Sequence, residues 1–350
     1  MAPVCIGLIG AGLIGKRHLG VLLGDPAYQA AAIADPSPSA AALAREHGVP
    51  YFEDYERMLD EVRLDGAIVA TPNQLHVVAG LACIGRRVPI LVEKPIAASV
   101  AEALQLMTAA DEAGVPVLTG HHRRHNPILR TAAKTVREGA IGRVTAVVCL
   151  WLSHKPDAYF DVAWRKEPGG GTVLINGIHE IDCLRMLCGE IESVQASTAS
   201  RARNFPVEDT AAAVLQFKSG ALGTLILSDA VSSPWSWEWG SYENTVWPHE
   251  SQNCYLVTGT RGSLAVPSLE LWWHDPGQGW TDPLTRRRIP YTPADAYVEQ
   301  MRNFAQVIRA QAEAVVSGWE GARTLAGTLA IALSARNGGP VRVDDLLARR

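Results

Sequence analysis

Five short apolar runs punctuate the first 120 residues: VCIGLIG, AAIAD, GAIVAT, PILVE and PVLTG. None alternates apolar with polar positions, and an amphipathic or alanine-rich segment separates each from the next. Strands apolar on both faces and interleaved with helices predict a parallel sheet covered on both sides, the doubly wound α/β arrangement. From about residue 140 the pattern changes. GRVTAVVCLWL is one long β-rich run, TAAAVLQF and ALGTLILSDA flank a KSG turn, and NCYLVTGTRGSLAV carries a turn at TRG. Consecutive hairpins predict an open, mainly antiparallel sheet with flanking helices. Helical spacing returns from Ala294 to Ala312, with Tyr297, Met301, Phe304 and Ile308 on one face. The expected division is a Rossmann-type domain over 1–122 and an α+β domain over 123–350, whose C-terminal helices are free to pack back on the first. No internal repeat or flexible linker interrupts the 350 residues.

Composition narrows the classes. The chain is 47% apolar and 19% charged, which excludes a disordered chain. Its net charge of −4 with dispersed basic residues is unlike a nucleic-acid binder, and TRRRIP (285–290) reads as a solvated loop more than as a phosphate or carboxylate contact. No 18-residue apolar span and no basic leader occur, so a cytoplasmic protein without a membrane partner is expected. Six cysteines at irregular spacings, without CxxC, point to buried reduced thiols and to neither a disulfide framework nor a metal site.

Against that background the segment GLIGAGLIGKRH stands out. Gly10, Gly12 and Gly15 follow a strand and open a helix in GxGxxG spacing. The first glycine permits a tight turn, the second lets backbone approach a pyrophosphate, and the third lets helix pack on strand. Leu13 and Ile14 complete the turn, whose helix N-terminus offers unpaired N–H groups to phosphates. Asp35 ends the next strand, where an acid can accept both ribose hydroxyls of adenosine and would repel a 2′-phosphate. NAD is therefore expected over NADP. A helix cap in DPSPS is the bland role for the same aspartate.

Two further stretches carry chemistry. In ILVEKPIA, Lys94 stands at the carboxyl end of an apolar strand, where ligand crevices of doubly wound sheets lie. Glu93 and Lys94, as strand neighbours, leave opposite faces. A lysine snorkelling to solvent is the structural alternative. In EPGGGTVLINGIHEIDCLRMLCG an amphipathic helix is expected after the glycines, with Ile178, Ile181, Leu184 and Cys188 on its stripe and His179 and Asp182 beside it. Asn176 stands where an N-cap would be, which puts His179 in the first turn, where the dipole favours a neutral imidazole.

GLIGAGLIGKRH, ATPNQLH, EKP and GGG…GIHEID, in this order and followed by a β-rich half, resemble the glucose-fructose oxidoreductase and inositol dehydrogenase family across nearly the whole chain. The resemblance implies NAD(P)-dependent hydride transfer on a sugar or polyol, with Lys94 and His179 as catalytic residues and a cis bond from Lys94 to Pro95. It further implies that Thr71, Pro72, Asn73 and His76 line the dinucleotide, that Glu93 helps position it, and that Trp164 and Arg165 reach it from the second domain. Arg123, Arg124 and Asn126 of TGHHRRHNP fall near substrate or cofactor, although a solvated connection would account for so basic a run. Homodimers or homotetramers through the open sheet are implied as well. One departure is visible: the family's aspartate four residues before the histidine is Ile175 here, with Asn176 next to it. Asparagine cannot exchange a proton but can hydrogen-bond a substrate hydroxyl or orient the histidine.

Seven of the ten tryptophans lie between 235 and 280. Trp235, Trp237 and Trp239 alternate at period two, so an extended backbone would put them on one face, suited to a subunit interface or, for Trp235, to the substrate pocket. The expected function is oxidation of a secondary alcohol, or the reverse, on a sugar, polyol or sugar acid. A cyclic diol dehydrogenase and a non-catalytic dinucleotide sensor are the alternatives.

Overall fold

A computed structural model describes residues 2–348. The chain forms two compact units, one of residues 2–125 with Ala296–Leu325 and one of Asn126–Asp295 with 326–348.

The first unit holds a six-stranded parallel sheet. Its strands are β1 (Val4–Ile9), β2 (Tyr28–Ala34), β3 (Tyr51–Phe52), β4 (Gly66–Val69), β5 (Ile90–Val92) and β6 (Val117–Thr119), in the order β3-β2-β1-β4-β5-β6. The uninterrupted apolar runs are buried as a sheet covered on both faces requires: every residue of β4 and β5 is buried. The helix Ala296–Ile308 completes the core, where Met301, Phe304 and Ala305 join Ile6, Leu8 and Leu91. Strand order reverses between β1 and β4, so the crevice at their carboxyl ends is the topological switch point.

The second unit is built on a nine-stranded sheet. It comprises β7 (Val144–Leu152), β8 (Ile191–Ala199), β9 (Thr210–Phe217), β10 (Leu222–Ser228), β11 (Tyr255–Gly259), β12 (Ser263–Val266), β13 (Glu270–Trp273), β14 (Thr285–Arg288) and β15 (Val341–Arg342), ordered β14-β13-β12-β11-β7-β10-β9-β8-β15. The KSG and TRG turns make the two hairpins that the sequence predicts. All neighbours are antiparallel except β7 and β10, which run parallel. Alternation sorts the faces: Ala211, Ala213, Leu215 and Phe217 of β9 are buried, whereas Val214 points out. Val148, Leu222 and Leu256 are likewise exposed on β7, β10 and β11.

Two local expectations fail. TRRRIP is no loop: Thr285–Arg288 is an edge strand, with Arg286 over the Trp272 ring and Arg287 over that of Trp273. The tryptophan alternation does not survive either, because Trp237–Ser241 is a helical turn. Trp237 is buried with its indole N–H donating to Glu243, Trp239 packs edge-on against Trp247, and Trp235 stays exposed. Among the described residues no helix is long and apolar enough to cross a membrane.

Candidate active site

The carboxyl edge of the parallel sheet gathers the first set of side chains. Gly10 has φ +93°, and a Cβ there would lie 2.6 Å from the Ala70 backbone. A Cβ on Gly15 would meet the Gly10 carbonyl oxygen at 2.1 Å, so the helix Leu13–Gly24 can approach the turn only with glycine there. At Gly12 a Cβ would meet nothing within 4 Å, which leaves the approach to the turn open. No side chain caps the helix and no acid stands in its first turn, so its N–H groups face outward uncompensated. Leu13 is exposed and Ile14 half-buried. Residues of this kind fit the diphosphate of a dinucleotide.

Asp35 is not a helix cap. Ser37 caps the helix Pro38–Glu46, while Asp35 accepts hydrogen bonds from the Ala11 N–H through one oxygen and from the Ser37 N–H through the other, each at 2.8 Å. Burial works against its charge, but these donors prevail and hold its carboxyl below the usual range.

Thr71, Pro72 and Asn73 follow β4. The Thr71 hydroxyl oxygen is buried and has no hydrogen-bond partner among the described residues, a polar atom left for a ligand. His76 instead looks inward. Its Nδ1 is 2.7 Å from the Pro95 carbonyl and its Nε2 is 2.8 Å from that of Thr71, so it ties the turn after β4 to the turn after β5. Burial lowers its pKa despite both acceptors. β5 ends at Val92, which puts Glu93 and Lys94 in the turn beyond the strand and not on it. Glu93 is buried and pairs with His18 at 2.7 Å, Lys94 is half-buried, and the Lys94–Pro95 bond is cis. Arg123 and Arg124 lie in the 3₁₀ turn His122–His125 and are not a solvated run. Arg123 is buried, and Arg124 pairs with Glu320 at 3.2 Å.

In the second unit the glycine-rich stretch leads into one helix that begins before the expected cap. A π turn, Val173–Gly177, runs directly into the α-helix Ile178–Cys188. Asn176 therefore lies inside the helix, and His179 follows the π turn instead of occupying a first turn, so the dipole argument for its neutrality lapses. Nor is the helix amphipathic: His179, Glu180, Asp182 and Arg185 are buried along with the apolar stripe. Asn176 Oδ1 is buried with no partner among the described residues. Glu208, which sequence inspection passes over, satisfies this helix start by accepting from the Val173 N–H at 2.9 Å. A Cβ on Gly171 would strike its carboxylate at 2.2 Å, which explains the third glycine of GGG. Glu180 bonds the Tyr255 hydroxyl in the core. Arg165 stacks on Tyr159 at 4.0 Å and donates to its carbonyl at 2.7 Å, beside the exposed Trp164. Trp235 donates from its indole nitrogen to Gln252 at 3.3 Å. No cluster of His, Cys, Asp and Glu suited to a metal ion occurs among the described residues.

Comparison with known proteins bears on both units. The model of the oxidoreductase family with an NAD-binding Rossmann fold matches residues 4–121, and that of the GFO/IDH/MocA C-terminal domain matches 129–265. The chain belongs to the GFO/IDH/MocA oxidoreductases. It is an NAD-binding oxidoreductase of the sugar and polyol dehydrogenase family. Similar members include the rhizopine catabolism protein MocA of Rhizobium meliloti, 30% identical over 53% of this chain and 57% of that protein. A 1,5-anhydro-D-fructose reductase of Ensifer adhaerens is 26% identical over 97% of this chain and 98% of its own. Among solved structures, the WlbA dehydrogenase of Bordetella pertussis, in complex with NADH and UDP-GlcNAcA, superposes with a TM-score of 0.80 at 25% identity over 97% of this chain and 98% of that one.

Proposed function

We propose that this GFO/IDH/MocA member oxidises a secondary alcohol, or reduces the matching carbonyl, on a sugar, polyol or sugar acid, with NAD in preference to NADP. The observation that carries the proposal is that the glycine turn, Asp35 and Lys94 all follow carboxyl ends of strands in one parallel sheet. Bound NAD supplies the hydride acceptor. Gly10, Gly12, Leu13, Ile14 and Gly15 hold its diphosphate and Asp35 its adenosine ribose, where a carboxylate kept charged disfavours a 2′-phosphate. Thr71, Pro72, Asn73, Glu93, Trp164 and Arg165 surround the rest.

His179 takes the proton from the reacting hydroxyl, and Lys94 donates a hydrogen bond to the oxygen as charge develops on it. Acid–base help of this kind contributes ~10² to 10⁴ in rate, and a positioned cationic donor roughly 3 kcal/mol. Asn176 stands in for the family's aspartate as a hydrogen-bonding group, which its unsatisfied buried oxygen supports. Arg123, Arg124 and Trp235 serve the substrate side. The exposed apolar face of the nine-stranded sheet joins copies into a homodimer or homotetramer, and six cysteines outside any disulfide suit a reducing cytoplasm.

A panel of sugars, inositols, sugar acids and cyclic diols, assayed with NAD and NADP at the reduced-nicotinamide absorbance, tests the substrate class. Turnover of a sugar, polyol or sugar acid, faster with NAD, is expected. Activity confined to cyclic diols overturns the class, and uniform silence despite tight NAD binding returns the chain to a sensor. Lys94→Ala and His179→Ala are each expected to bind NAD normally and lose at least ~10²-fold in kcat; near-native turnover in either removes that residue from the mechanism.

A further inference from the structure

His18 lies three residues past Gly15 in the helix Leu13–Gly24 and is fully buried, an unusual place for an imidazole unless something needs it. Its Nε2 meets Glu93 Oε1 at 2.7 Å, and the other oxygen of Glu93 accepts from the Lys94 backbone N–H at 3.2 Å. One carboxylate thus joins the helix that opens the dinucleotide site to the residue that carries the reactive amine. The surroundings are shaped around this carboxylate. Gly120 leaves room for it, since a Cβ there would lie 2.7 Å from Glu93 Oε1. Tyr297 packs edge-on against the His18 ring at 5.6 Å, with His122 stacked on the same tyrosine at 4.5 Å and Arg17 over it at 5.0 Å.

We propose that His18 is a positioning residue for Lys94: acting through Glu93, it fixes the turn that bears the lysine and keeps an anion beside its ammonium group. The proposal rests on the role given to Lys94 above. An unpaired carboxylate at this depth would take up a proton, because desolvation penalises its charged form. Burial does oppose the charge of Glu93, but the hydrogen bond from His18 and the positive fields of His18, His122 and Lys94 hold its carboxyl below the usual range. The groups that share this field are His18, Glu93, Lys94, His76, His122, Arg17 and Tyr297.

The test needs a readout independent of turnover. In the cofactor-free protein the pH dependence of Lys94 modification by trinitrobenzenesulfonate, followed by peptide mass spectrometry, reports when its amine loses a proton. His18→Leu is expected to let Glu93 become neutral, removing the adjacent anion and moving the modification midpoint to lower pH. It should also reduce kcat roughly tenfold to hundredfold on the fastest alcohol of the panel, with KM changed less than about threefold. His18→Gln, whose amide can still donate to Glu93, should restore both. Glu93→Gln should match His18→Leu, and the double variant should be no worse than either single one, as for residues that act as a unit.

An unmoved midpoint in His18→Leu, with or without a kcat loss, marks a packing role and overturns the proposal, as do losses that multiply in the double variant. Should His18→Leu fail to fold, Glu93→Gln carries the test, and an unmoved midpoint there is equally fatal. Lys94→Met separates the two levels. If it is inactive while His18→Leu behaves as wild type, only the positioning role falls. If it is active, the assignment of Lys94 falls first.

Discussion

In the proposed arrangement Asp35 sets two measurable properties at once. Its carboxylate takes the adenosine ribose while accepting the Ala11 and Ser37 N–H groups. Asp35→Asn keeps an acceptor but removes the charge, so the ratio of kcat/KM for NADP to that for NAD should rise roughly tenfold or more through lost repulsion. The same hydrogen bonds give a pH signature. Because the folded carboxyl releases its proton more readily than the unfolded one, its stabilisation is complete above the ordinary carboxylate pKa of about 4 and is lost as pH falls through the folded value. Urea midpoints measured from pH 6 downward should therefore fall more steeply in wild type than in Asp35→Asn. The position of Asp35 directly after β2 was legible in the sequence because fixed spacing from the glycine turn implies it. His18 and Glu208 were not, since their roles depend on which distant carboxylate or backbone N–H folding brings to them.

At the scale of elements, the helix carrying His179 shows what periodicity conveys and what it omits. Its existence was legible; its start was not, because a π turn leaves no signature in the spacing of apolar residues, and burial on all sides hides the stripe. The tryptophan segment misled for a related reason. Three large side chains at period two fit a strand, yet Trp237–Ser241 turns helical when Trp237 is drawn into the core and its N–H is taken by Glu243. The strands announced by apolar runs and turn residues all formed, whereas the edge strand β14, with its three arginines, carries no such run and looked like a loop. The start of the His179 helix also makes a prediction. Burial raises the pKa of Glu208 although the Val173 N–H opposes it, so ionised Glu208 costs stability as pH rises through its folded pKa. Glu208→Gln retains the acceptor and should be as stable as wild type or more so at pH 8, with the difference shrinking toward pH 4 in thermal melts. Gly171→Ala, which drives a methyl into that carboxylate, should instead cost about 1–3 kcal/mol.

For the molecule as a whole, the open sheet raises the question of what covers its outward face. Val148, Val214, Leu222 and Leu256 stand between 38% and 55% exposed on four adjacent strands, β11-β7-β10-β9. If copies pair there, Val214→Asp combined with Leu222→Asp should shift sedimentation velocity profiles toward a single chain without altering the far-ultraviolet circular dichroism. An unchanged sedimentation coefficient would leave that face without a role in assembly. The discontinuity of the first unit has a separate consequence for biogenesis. Met301, Phe304 and Ala305 complete a core begun by Ile6 and Leu8, so nearly 300 residues must leave the ribosome before the nucleotide-binding half can close. Until then its central strands stay short of their last apolar cover, and that surface faces water for most of the time the polypeptide is being made.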